Sequence, residues 1–162
     1  MKVRDVMTPE PKCCHPNTSL AVAAELMWKN DCGILPIIDH GKLRGVITDR
    51  DICIAVGTRD QPAAAITVKE AAPAGDVHTC QPDDDITAAM AVMRRAKVRR
   101  LPAINRDGRL EGILGLNDLI LAADRNRPDT GYDDLMNTIR IVSEHSDRQT
   151  AAKTYGMSVT AG

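Results

Sequence analysis

The feature that most constrains this chain is an internal repeat. The stretch "GVITDRDI" at residues 45–52 returns as "GILGLNDL" at residues 112–119, and the match runs well beyond it. Aligning Pro16 with Pro82 sets Leu20 on Ile86, Ala24 on Met90, Met27 on Met93, and "ILPIID" (34–39) on "RLPAIN" (100–105). One residue is inserted in a turn, after which "GKLRGVITDRDI" (41–52) lies over "GRLEGILGLNDL" (108–119), with Gly, Leu, Gly and Asp coincident. A chain of 162 residues built this way is a pair of small supersecondary units. Neither buries enough apolar surface to be secure alone, so the two are expected to pack sheet to sheet.

Each unit reads alike. A proline-marked extended lead-in ends at a polar cap (Asn17 to Ser19; Asp83 to Asp85), and a helix follows with apolar residues at 20, 23, 24 and 27, or 86, 89, 90 and 93, the spacing of one helical face. Next comes a short apolar strand with an internal proline (34–38; 100–104), a Gly-containing turn and a second strand (43–48; 110–114). The proline predicts an edge position for the first of these strands. A second helix starts directly after Thr48 and after Gly115. The fold class is therefore α+β, two β-α-β-β-α repeats over residues 1–62 and 63–125. A C-terminal extension with a helix covers 126–145, and a polar tail expected to be disordered covers 146–162.

The junction at Thr48 carries the chemistry. Thr48 and Asp51 stand in a capping-box relation, the hydroxyl accepting a first-turn N–H and the carboxylate reaching back, whatever the function. A helix N-terminus also offers N–H groups and partial positive charge to an anion. Thr48 has a hydroxyl and an amide for a phosphate, and Asp51 is a fixed acceptor for the two hydroxyls of a ribose. The second repeat keeps Asp118 but has Gly115 in place of the threonine, which retains the ribose acceptor and removes the hydroxyl.

Composition excludes several classes. The formal net charge of -1 gives no overall field to draw the chain onto nucleic acid or an anionic membrane. Phe is absent and aromatics total 2%, so the core must be aliphatic and the aromatic platform of single-strand nucleic-acid binders is missing. The N-terminus lacks the apolar run of a signal peptide, and no window approaches the roughly 18 apolar residues of a membrane span. A soluble cytoplasmic protein is expected. The five cysteines contain no C-x-x-C pair, so neither a disulfide framework nor a zinc knuckle is expected, and the "CCH" run at 13–15 reads as thiols because adjacent side chains diverge. No Walker A loop, no G-x-G-x-x-G, no nucleophile motif beside His15, His40, His78 or His145 and no carboxylate dyad is present, so no catalysis is read.

The repeat, the h-x-P segments "ILPII" and "RLPAI", and the G-h-h-T-x-x-D pattern of Gly45 to Asp51 together resemble the tandem cystathionine β-synthase (CBS) domain pair, or Bateman module, over roughly residues 3–124. The likeness is to the small stand-alone bacterial type. It implies a regulatory module binding an adenosine nucleotide between repeats, AMP first, with ADP, ATP or NAD as other members of the class, no required cofactor, and a homodimer. It further implies that Thr48, Arg50 and Asp51 act with His78, Thr79, Cys80, Val98, Arg99, Arg100, Leu101 and Pro102. Apolar Val98 would face the base and the arginines the phosphate. A second cleft would join Asp118 to Cys14, Gly33 and Ile34.

Two other classes fit the same sequence: an interaction disc that binds no ligand and serves a target protein, and a nucleic-acid binder using the basic run Arg94–Arg100. That run ends a helix, where cations suit the dipole and face solvent, so nucleic acid is not expected. The run "RNRPDTG" (125–131) should break the second repeat's last helix. In the extension, Tyr132, Leu135, Met136, Ile139 and Val142 form an apolar stripe expected to dock on the module or on a second subunit, with a groove of a partner protein as the alternative.

Overall fold

A computed structural model describes residues 1–73, 76–123 and 132–144. The expected segments 125–131 and 146–162 lie outside the described residues. The described chain divides into two compact units. One, the first-repeat unit, holds Lys12–His40 and Arg44–Val77. The other, the second-repeat unit, holds Met1–Pro11, Gly41–Leu43 and His78–Glu144.

In the first-repeat unit α1 (Leu20–Lys29) is capped by the Ser19 side chain, which accepts the Val22 N–H at 3.3 Å, and it buries Leu20, Ala23 and Met27. Strands β2 (Ile34–Asp39) and β3 (Lys42–Thr48) form a two-stranded sheet. Their two-residue turn, His40 and Gly41, has φ of +49° and +74°, the primed geometry that tight hairpins favour. α2 (Asp49–Thr58) follows β3 without a gap, and a short α3 (Val68–Ala71) packs its Val68 and Ala71 into the same aliphatic core.

The second-repeat unit repeats this plan with α4 (Ile86–Ala96), β4 (Arg100–Ile104), β5 (Leu110–Gly115) and α5 (Leu116–Ala122), and adds α6 (Tyr132–Ser143). A two-residue strand not foreseen from sequence, β1 (Thr8–Pro9), pairs antiparallel with β5, Thr8 opposite Ile113, to give the order β1-β5-β4. The prolines sit as expected: β4 lies at an edge. The lead-ins form single parallel bridges rather than strands, Cys14 to Ile37 and Cys80 to Ala103. Cys14 donates its N–H to Pro36 O and accepts from Ile38 N, both at 2.9 Å, so the bridge uses the proline's carbonyl and never calls for the hydrogen it lacks.

The units are completed by exchange of the segments that precede each repeat. Val3 and Arg4 donate their N–H groups to Asp84 O and Pro82 O in the second-repeat unit, each at 2.9 Å. Val68 and Lys69 donate to Thr18 O and Pro16 O in the first-repeat unit, at 2.8 and 3.0 Å. The same bonds are thus made twice, by residues about one repeat apart. Gly112 permits the crossing: a Cβ there would stand 2.5 Å from Met7 Sδ and 2.8 Å from Thr8 O.

α6 docks on its own unit through Leu135 and Val142, both buried, and through Ile139. Tyr132 and Met136, expected in that stripe, are 54% and 47% exposed. Buried Thr138 takes part instead, its hydroxyl satisfied by Asp134 O at 2.7 Å. The basic run is also not wholly a solvated face: Arg94 is half-buried and Lys97 is paired, because α6 brings Asp134 and Glu144 to them.

Candidate functional site

The two β–α junctions were built from the same pattern and differ in detail. At the first, Thr48 ends β3 with extended φ and ψ and is the N-cap of α2. Its amide and hydroxyl both donate to Asp51 Oδ2, at 2.8 and 2.7 Å, while the hydroxyl oxygen accepts the Asp51 N–H at 3.2 Å. Asp51 is buried, 4% exposed, and its carboxylate is held by this exchange. Neighbouring amides are engaged as well. Asp49 N–H donates to Gly33 O at 3.3 Å, and Arg50 N–H to the Asp49 carboxylate at 2.7 Å. The helix start expected to offer unpaired N–H groups has therefore filled them from within, and an incoming anion must displace an exposed side chain, that of Asp49, to reach the Arg50 amide.

At the second junction Gly115 donates its N–H to Asp118 Oδ2 at 2.6 Å, but there is no hydroxyl at this position to return the bond. Thr8 of β1 supplies one to Asp118 Oδ1, at 3.4 Å. Leu116 N–H donates to Arg99 O at 3.1 Å, and the Cγ of Arg100, which pairs with Gly115 across the sheet, lies 3.7 Å from where a Gly115 Cβ would stand.

Within the first-repeat unit the structure brings together Thr48, Asp51 and Gly33, with Arg50 exposed in the first turn of α2, Ile34 buried at the start of β2 and Cys14 buried along β2. Within the second-repeat unit, Arg99 and Arg100 of the Val98–Pro102 stretch lie beside Gly115 and Asp118. Leu101 and Pro102 are buried in β4, Val98 and Thr79 are half-buried, His78 is exposed, and Cys80 is buried along β4. Thr8 is the residue that sequence reasoning missed. It lies in the lead-in of the first repeat, and nothing in the alignment shows that the exchanged segment carries it to Asp118.

Cys14 and Cys80 are equivalent residues with equivalent surroundings. Their Sγ atoms point at Pro36 O (3.7 Å) and Pro102 O (3.9 Å). Burial raises the Cys14 thiol to about 11, with Cys13 adding to the effect, and raises that of Cys80 to about 12, with Asp84 adding. Neither is a thiolate or a nucleophile at neutral pH. His15 turns away to Asp39, 3.3 Å from its carboxylate, so the "CCH" side chains diverge. Among the described residues no three His, Cys, Asp or Glu side chains are grouped to hold a metal ion, and no helix is long and apolar enough to cross a membrane.

Comparison with known proteins agrees with this doubled architecture. The chain matches the CBS domain family over residues 3–57 and 68–125. It is 32% identical over 117 residues to the CBS domain-containing protein YhcV of Bacillus subtilis, covering 72% of this chain and 81% of that one. Among solved structures it is similar to Hypoxic Response Protein I, determined with two coordinated zinc ions (30% identity, TM-score 0.68, 76% of this chain and 100% of that one). It is also similar to the CBS domain pair of protein MJ0100 in complex with 5′-methylthioadenosine and S-adenosyl-L-methionine (28% identity, TM-score 0.68, 75% and 94%). A third is CBSX2 in complex with AMP (26% identity, TM-score 0.64, 75% and 94%). The chain belongs to the CBS domain family, as a tandem pair of repeats.

Proposed function

We propose that the protein is a regulatory, non-catalytic module of the cytoplasm that binds an adenosine nucleotide, AMP before ADP, ATP or NAD, at the junction formed by Thr48 and Asp51. The observation that carries this reading is the buried Asp51 carboxylate, held by the Thr48 amide and hydroxyl at 2.8 and 2.7 Å at the start of a helix. A carboxylate fixed in this way is preorganised to accept hydrogen bonds from a ribose diol, and Arg50 in the same turn supplies a cation for phosphate. That two similar CBS pairs were solved with adenosine ligands supports the choice of ligand class. A homodimer, with regulation of a separate target protein, is part of the same reading.

A thermal-shift panel of AMP, ADP, ATP, NAD and S-adenosylmethionine tests it. A ligand present at 100 times its dissociation constant stabilises the fold by about 2.7 kcal/mol. AMP should give the largest rise in melting temperature. No response to any of the five would reject the nucleotide-sensing role in favour of an interaction module.

A further inference from the structure

The two repeats draw the same hydroxyl from different places. In the first-repeat unit Thr48 holds Asp51 with its own side chain, at 2.7 Å. In the second-repeat unit Gly115 has no hydroxyl to give, and the one that reaches Asp118 Oδ1, at 3.4 Å, belongs to Thr8 of β1. The lead-in of the second repeat offers no counterpart to it. Val68 and Lys69 make the backbone bonds that Val3 and Arg4 make, and counting on from them puts Pro73 where Thr8 stands, a residue with neither a hydroxyl nor an N–H for a strand. The glycines differ to match. A Cβ at Gly112 would run into Met7 and Thr8, whereas one at Gly45, its counterpart, would meet the Ile37 side chain of its own hairpin at 3.2 Å.

The segment from Met1 to Glu10 is thus a strap across the second-repeat unit, and its two ends are held unequally. The near end is anchored. Val3 is fully buried, Val3 and Arg4 donate their N–H groups to Asp84 O and Pro82 O, each at 2.9 Å, and the Arg4 side chain pairs with Asp83 at 2.8 Å. At the tip, Thr8, Pro9 and Glu10 are exposed, β1 is two residues long, and the Glu10 N–H donates to Glu111 O at 3.2 Å. Glu10 also has φ of +47°, a left-handed conformation that is costly for a residue other than glycine and persists only where its surroundings hold it. We propose that the hydrogen bond from Thr8 to Asp118 is the latch of this strap, holding the tip closed against β5. A hydrogen bond to a carboxylate is among the stronger kinds, so one hydroxyl is enough to bias so short and strained a tip. The coupling runs both ways: release of the tip frees Asp118, and whatever draws Asp118 away from Thr8 opens the tip.

Amide hydrogen exchange of the full chain, read at Glu10 and at Val3, tests the latch. Thr8→Val keeps the β-branched shape and removes the hydroxyl. It should speed exchange at Glu10 roughly three- to tenfold, the worth of one hydrogen bond, and leave Val3 protected. Thr8→Ser, which restores the hydroxyl, should exchange as the parent does. Asp118→Ala should open the tip as well, and in that background Thr8→Val should add nothing, because its partner is already gone. Thr8 is exposed, so Thr8→Val and Thr8→Ser keep the test decisive should Asp118→Ala not fold. Parent-like exchange at Glu10 in Thr8→Val overturns the latch. An equal acceleration with and without Asp118 overturns it too, by giving the hydroxyl another partner. Loss of protection at Val3 together with Glu10 would show that the strap leaves whole, with no separately latched tip.

Discussion

The Asp49 carboxylate accepts the amide hydrogen of Arg50 at 2.7 Å, placing a negative charge of the chain's own where the start of α2 would meet a phosphate. The arrangement stabilises the helix, since an acid in the first turn complements its dipole. It also opposes an anionic ligand. Asp49→Asn should therefore lower the stability of the free protein by about 0.3 to 1 kcal/mol and strengthen AMP binding roughly two- to fivefold, while leaving adenosine unaffected. Titration calorimetry with both ligands reads the ratio. An unchanged ratio would mean that the phosphate lies away from the Arg50 amide.

Asp51 should matter for the ribose. Its replacement by Ala removes charge-assisted hydrogen bonds worth roughly 1.5 to 3 kcal/mol each, so AMP and adenosine should both be lost at accessible concentrations. It also leaves Thr48 without the acceptor of its amide and hydroxyl, at a cost of about 1 kcal/mol in unfolding by urea. Retention of AMP binding by a folded Asp51→Ala protein would put the nucleotide elsewhere.

The repeat made the plan of each unit readable: helix faces at 20, 23 and 27 and at 86, 89, 90 and 93, edge prolines, and the capping pattern of Thr48 with Asp51 are local consequences of residue spacing, and the structure carries them; Ala24, expected on the first of these faces, is exposed, although its counterpart Met90 is buried. What the spacing could not supply was long-range. The exchange of Met1–Pro11 into the second-repeat unit depends on hydrogen bonds between residues some eighty apart, as from Val3 to Asp84, and so Thr8 could not be placed beside Asp118. Tyr132 and Met136 share helical spacing with Leu135 and Val142, yet they are exposed because α6 meets α4 along a face that includes Thr138. The amphipathic pattern contained the stripe; the polar contact from Arg94 rotated it.

The exchange predicts an unusually costly glycine. A methyl group at Gly112 would meet Met7 Sδ at 2.5 Å and the Thr8 carbonyl oxygen at 2.8 Å, and the second is backbone that cannot swing aside. Gly112→Ala should destabilise the protein by about 1 to 3 kcal/mol, the usual range for overpacking. The loss should be local in hydrogen exchange, with the Glu10 amide, bonded to Glu111 O at 3.2 Å, losing protection first. Unchanged protection at Glu10 would show that β1 is not held against β5.

The paired thiols predict an alkaline limit to stability. Burial raises Cys14 to about 11 and Cys80 to about 12 from an ordinary value of 9.0, so the folded state holds its protons where the unfolded chain gives them up. Above pH 9 the unfolded state binds fewer protons than the native one, and the stability must fall as pH rises from about 9 through 11 to 12. Below about pH 8 the thiols are protonated in both states and contribute almost no slope. At pH 8 a thiol reagent should label Cys53, which is exposed, well before Cys14 or Cys80, which should react only on unfolding. A Cys14→Ala, Cys80→Ala protein that keeps the full alkaline slope would assign it to other groups.

The asymmetry between Thr48 and Gly115 gives the sharpest test of the site. The Thr48 hydroxyl is bonded to Asp51 in both directions, so it can turn to a phosphate only by exchanging its bond to the carboxylate, 2.7 Å away, for one to the ligand. If it does so, Thr48→Gly should weaken AMP more than adenosine, by about 1.5 to 3 kcal/mol, or roughly ten- to a hundredfold. An equal loss for both ligands would mean that Thr48 serves the helix cap alone. The reverse change is sterically open: a Cβ at Gly115 would lie 3.3 Å from Asp118 Oδ2 and 3.7 Å from Arg100 Cγ, a fit that needs a shift of a few tenths of an ångström. Gly115→Thr should complete the second capping box and, by also restricting the unfolded chain, stabilise the protein by about 0.4 to 1 kcal/mol. It should add a second AMP equivalent per chain in calorimetry. Because Thr8 already lends Asp118 a hydroxyl at 3.4 Å, the outcome separates two roles. A stabilised variant with unchanged stoichiometry would show that the missing group is a cap and not a phosphate ligand.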